Sequence, residues 1–184
     1  PKLREPLRTL YFDLDRDADK QDAGAHLRTR IARLLLAGED ARDLDIALRA
    51  VDTYEKAAGV DSTANLRSLG LRIIASADPD LFPFVAAEHI DDASVFSPEP
   101  ANTALQLLAA SGHEVSVYQW IISGTHDPAL IEAAIDLLHD APATVMSRCL
   151  AQPTRHPNGK KEGPLRTERA ETTVRRAARA PDGP

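Results

Sequence analysis

The chain has 184 residues, 43% of them hydrophobic but only 4% aromatic, and a formal charge of −6. That length suits one ordinary domain and a tail, and apolar content supplied largely by Ala and Leu favours closely packed helices over sheets. No run approaches the roughly 18 apolar residues of a membrane span, and a single cysteine cannot form an internal disulfide.

Leu7, Leu10, Tyr11 and Leu14 recur at helical spacing behind Pro6, predicting an N-terminal helix. DLDRDADKQD follows, with Asp13, Asp15 and Asp17 at the first three ligand positions of a calcium loop. Ala18 then stands where the tight-turn Gly belongs and Gly24 where the bidentate Glu belongs, so the segment reads as a solvated acidic linker that closes an N-terminal region, 1–24. Residues 25–37 predict a helix with Leu27, Ile31, Leu34 and Leu35 inward and Arg28, Arg30 and Arg33 off that face. A second helix is expected from Asp43 to Ala58, with Leu44, Ala47, Leu48, Val51 and Tyr54 at core spacing and Gly59 as its stop.

Asp61, Ser62 or Thr63 can cap a third helix reaching about Ala77, with Gly70 inside it permitting a close helix contact. Asp78-Pro79 is expected to open the next one, with an irregular first turn at Pro83. A loop at 91–100 leads into a helix over Asn102–Ala110. VSVYQWII has strand propensity, but the repeat register below favours a helix over Glu114–Ile122 with Val115, Tyr118 and Ile122 on one face. Asp127-Pro128 begins a strongly amphipathic helix with Leu130, Ile131, Ala134, Ile135 and Leu138 inward, and Pro142 begins a last short helix ending near Ala151.

These helices repeat. Each pair has an apolar doublet at the end of its first helix: Ile73-Ile74, Leu107-Leu108 and Leu137-Leu138, at intervals of 34 and 30 residues, with Leu36 a further 38 upstream. Such periods mark stacked helix pairs that cannot bury their apolar faces alone. The fold expected is therefore all-α: a superhelical stack of about four antiparallel helix pairs over 25–151, with an N-terminal helix before it and a disordered basic tail, 152–184, after it. DPALIEAAIDLLHD resembles the first helix of a HEAT repeat, and ADPDLFPFVAAEHI and APATVMSRCLAQ look like matching second helices. The resemblance implies a superhelical scaffold, similar to HEAT and ARM proteins, that binds other proteins along the surface built by its second helices.

On that register, the position ten after each doublet holds Ile46, Phe84, Tyr118 and Arg148, and the position twelve after holds Leu48, Ala86, Trp120 and Leu150. Phe84, Tyr118, Trp120 and Arg148 either form an anchoring strip for a protein partner or, for the aromatics, pack between helices. His113, His126 and His139 are spaced by thirteen residues, which spans predicted breaks and places them on no common face, so no metal site is expected. Cys149 has no basic or His neighbour and reads as a buried structural residue. No catalytic motif and no cofactor is implied.

The charge divides unevenly. Residues 1–154 hold 14 Lys/Arg against 24 Asp/Glu, and residues 155–184 hold 8 against 4. An acidic body repels polyphosphate, leaving Arg166, Arg169, Arg175, Arg176 and Arg179 as the contacts for nucleic acid, an acidic partner or a neighbouring copy in a homo-oligomer. With one cysteine and no secretory leader in the sequence, a cytoplasmic, non-enzymatic scaffold is the expectation.

Overall fold

The computed structural model describes residues 3–38, 40–57, 59–94, 96–124, 126–151, 153–155 and 161–164. The fold is helical, as composition predicts, and divides into two units, residues 1–107 and 108–184. The tail arginines Arg166, Arg169, Arg175, Arg176 and Arg179 lie outside the described residues.

In the first unit, α1 (Arg4–Arg16) buries Tyr11 and Leu14 and is followed by one turn, α2 (Ala18–Gln21). Next comes α3 (His26–Leu36), whose buried face is Arg28, Ile31, Ala32 and Leu35. The predicted face is thus displaced: Leu27 and Leu34 are exposed and Arg28 is inside. A 3-10 turn, Ala41–Asp43, leads into α4 (Leu44–Val51). That helix ends seven residues before the Ala58 expected, and Tyr54 lies exposed beyond it. In place of the last turns stands a small antiparallel ladder, β1 (Lys56–Ala57) with β2 (Val60–Asp61). Gly59 takes φ +82° in its turn, a conformation that costs glycine little.

Helix α5 (Ala64–Ala77) is the centre of this unit and packs on α4, α3 and α6 (Phe82–His89). Leu66, Leu71 and Ile74 are fully buried along it, each contributing about 1.5–3 kcal/mol by removal from water. Gly70 sits where α5 crosses α4. A Cβ there would lie 2.8 Å from the Ala47 carbonyl oxygen and 2.8 Å from Val51 Cγ1, so the expected close contact is real. Proline placement differs from expectation at α6. Asp78 ends α5 and its Oδ1 accepts the Leu81 N–H, so Pro83, and not Pro79, occupies the first turn.

Helix α7 (Ala101–Ala110) begins in the first unit and ends in the second. In the second unit, α8 (Glu114–Ser123) packs on α9 (Pro128–Leu137) and α10 (Ala143–Leu150). VSVYQWII is helical, yet the buried face is Val117, Trp120 and Ile121, and Val115 is exposed. Asp127 caps α9 by accepting the Ala129 N–H, and all five residues expected inward are buried. Cys149 is buried in α10, and desolvation pushes its thiol up, against thiolate formation. β3 (Pro153–Arg155) pairs antiparallel with β4 (Lys161–Pro164), within the stretch expected as a disordered tail.

Candidate functional site

Two buried arginines, Arg28 and Arg67, organise the first unit. Each is tied to an aspartate six residues before it, Asp22 and Asp61, and 39 residues separate one arginine from the other. Arg28 Nε donates to Asp22 Oδ2 at 3.1 Å and Nη1 to Asp15 Oδ1 at 3.0 Å, while Nη2 binds Glu55. Asp22 also accepts the Leu27 and Arg28 backbone N–H groups, capping α3. Asp15 and Asp22 are therefore structural, where the sequence reads as a solvated linker. A buried guanidinium is tolerated because these carboxylates and the Asp22 carbonyl take its donors.

Arg67 repeats the pattern one helix pair later. It binds Asp61 through Nη2, Asp92 through Nε at 2.9 Å, and Thr63 Oγ1 and the Thr53 carbonyl through Nη1. Burial disfavours the Asp61 carboxylate, but hydrogen bonds from Arg67 and Thr63 override it and hold Asp61 below its ordinary range. Glu55 immediately precedes β1 and Asp61 ends β2, so the two arginines hold the two strands at the open end of the ladder.

The Tyr54 ring lies over the Arg67 guanidinium, 4.0 Å from ring centroid to Cζ, and its hydroxyl donates to Asp92 Oδ2 at 2.9 Å. His89 Nδ1 stands 3.4 Å from both the Tyr54 hydroxyl and Asp92 Oδ2. Burial, then the bond to Asp92, pushes the Tyr54 hydroxyl up to about 12. At neutral pH it is a hydrogen-bond donor and not a nucleophile. The constellation has the residue types of an acid–base site but the electrostatics of a clamp.

That clamp holds the end of α6. Phe82, Val85, Ala86 and His89 are buried on one face, so Phe84, on the opposite side, is 74% exposed. Phe96 is 75% exposed on a tight turn in which Ser94 Oγ accepts the Phe96 and Ser97 N–H groups. No pattern of apolar spacing marks Phe96, because it stands outside any helix. Glu99 ends this loop by accepting bonds from Ser68 and Thr103 hydroxyls, and despite burial these hold it below its usual range.

The other residues of the expected strip belong to the second unit. Tyr118 is half-buried, and Arg148 is exposed on α10. Trp120 is buried and stacks on His126, with ring centroids 3.9 Å apart and His126 Nε2 2.8 Å from the Trp120 carbonyl oxygen. Of the two roles open to it, Trp120 therefore takes the packing one. Among the described residues, no group of three or more His, Cys, Asp or Glu is placed to hold a metal, and no helix is long and apolar enough to cross a membrane.

Asp61 and Glu99 set an acid limit on stability. Both pKa values are depressed on folding, so their stabilisation is complete above the unfolded carboxylate values of about 4 and drains away as pH falls through the lower folded values. Thermal melts are expected to be flat from neutrality to about pH 5 and to drop below about pH 4, with a smaller drop in Glu99→Gln.

Compared with known protein families, curated proteins and solved structures, the chain gives no match.

Proposed function

We infer that the protein is a non-enzymatic helical-repeat scaffold, HEAT-like in its stacking, that binds a protein partner through α6 and the turn after it. The observation that carries this reading is Phe84, three-quarters exposed on a helix anchored at its far end by the Tyr54–Arg67–Asp92 clamp. An exposed aromatic on a rigid support loses little conformational freedom on binding, which is the property of an interface anchor. Phe96 offers a second such side chain in the same unit. The repeated Asp–Arg tie, 39 residues apart, supports the stacked-pair reading, since two successive pairs are built with the same device. Arg148 is available as a contact in the second unit, and the tail arginines supply an additional basic contact for an acidic partner.

A photo-crosslinking side chain at position 84, introduced in cells, tests this. A discrete protein adduct is expected there and none from the same group at Glu132, an exposed position on α9. Identical adducts at both positions, or none at 84, would contradict the proposal.

A further inference from the structure

Helices α1 and α3 lie side by side and run antiparallel. Arg4, at the start of α1, reaches the Leu35 carbonyl at the end of α3, while Asp15 reaches Arg28 near its beginning. One side of α1 is committed to α4 and the turn before it, through Arg4 and Arg8 to Asp43, Arg8 to Asp45, and Asp15 to Arg49. Tyr11 and Leu14 face inward. On the flank away from those ion pairs stand Leu3 and Leu10, seven residues apart, and α3 presents Leu27 and Leu34, also seven apart. All four are between 45% and 73% exposed. Projected on helical wheels, both leucine pairs border the α1–α3 seam on its outer side. An apolar stripe at seven-residue spacing on two neighbouring helices is the pattern of a helix-packing face, and these leucines stay exposed among the described residues.

We propose that this stripe packs against the same stripe of a second copy, in a two-fold dimer in which α1 of each copy lies over α3 of the other. Charge complementarity selects a second copy as the occupant. Exposed Asp13 follows Leu10 by three residues on α1, and exposed Arg30 lies between Leu27 and Leu34 on α3. The Asp15–Arg28 bond fixes Asp13 and Arg30 at nearly the same height. A two-fold axis parallel to the helices therefore sets Asp13 of one copy against Arg30 of the other, twice, with Leu10 of each copy level with Leu34 of its partner. The surface is self-complementary in shape of pattern and in sign of charge, which is the requirement of an isologous contact. Asp13 has only an exposed pairing with Arg16 at 3.5 Å to exchange for it.

Light scattering after size exclusion, over a concentration series reaching about 0.5 mM, tests the proposal by mass action. The full chain is expected to be a dimer. Leu10→Glu with Leu34→Glu is expected to be monomeric with unchanged far-UV circular dichroism, since both side chains are exposed in the folded copy. Asp13→Arg and Arg30→Asp are each expected to weaken dimerisation about tenfold or more, and their combination to restore it to within about threefold. A chain monomeric throughout the series, a dimer that survives the leucine changes, or charge reversals without mutual rescue would each overturn it.

Discussion

Arg28→Ala is expected to cost about 3–5 kcal/mol of folding stability, read from urea denaturation followed by far-UV circular dichroism. The change deletes the common partner of Asp15, Asp22 and Glu55. What remains is worse than a cavity. The Asp22 side chain is only 2% exposed, so with its guanidinium gone this buried charge keeps just the two backbone N–H groups of residues 27 and 28. Arg28→Met fills the space yet leaves the same charge and is expected to lose nearly as much. Adding Asp22→Asn to it is expected to recover part of the loss. Arg67→Ala supplies the contrast. Its partners Asp61 and Asp92 are 22% and 23% exposed, so water can take over part of the solvation. The smaller loss expected there, about 2–3 kcal/mol, includes the Tyr54 cation–π contact. A loss below about 1 kcal/mol for Arg28→Ala would show that the network is not holding the unit together.

At Gly70 two effects of opposite sign compete. Helix propensity alone favours Gly→Ala by about 1 kcal/mol. Packing opposes it, because the new Cβ lands 2.8 Å from the Ala47 carbonyl oxygen, a backbone atom that moves only if α4 moves. Overpacking of this kind costs about 1–3 kcal/mol, so Gly70→Ala is expected to be net destabilising by about 1 kcal/mol. Gly70→Val adds two methyl groups against Val51 and Ala50 and is expected to lose about 3 kcal/mol or more in the same denaturation experiment. A stabilised Gly70→Ala would mean that α4 and α5 stand further apart than described.

Both predictions bear on what could be read from the sequence. Where a helix has one apolar face and a local start signal, as in Asp127-Pro128 and the residues after it, periodicity alone places every inward residue of α9. The helical state of α8 was also legible, although Val117 and Ile121, not Val115 and Ile122, turn inward. At α3 polar burial outweighs apolar periodicity. Apolar spacing excludes Arg28 and favours Leu27 and Leu34, yet the folded helix turns Arg28 inward and leaves both leucines outside. Helix α4 ends earlier than its spacing predicts for a related reason. Residues 52–58 have helical spacing, but Arg28 draws Glu55 to one side and Arg67 holds the Thr53 carbonyl on the other. Tertiary ion pairs outweigh the propensity of a single turn.

A signal for these ties was present. Asp22 and Arg28, and Asp61 and Arg67, share one spacing and recur after 39 residues, close to the 38 between Leu36 and Ile74. The repeat register marks these charged pairs as it marks the aromatic positions. Phe84 stands at an aromatic position of the register and is exposed there, whereas Phe96, a loop residue, has no register to stand in.

Affinity for the protein captured at position 84 is the most direct measure of the scaffold reading. By calorimetry, Phe84→Ala is expected to weaken that binding about tenfold or more with unchanged circular dichroism, as for an interface anchor. Equal affinities for Phe84→Ala and the unaltered chain would contradict it.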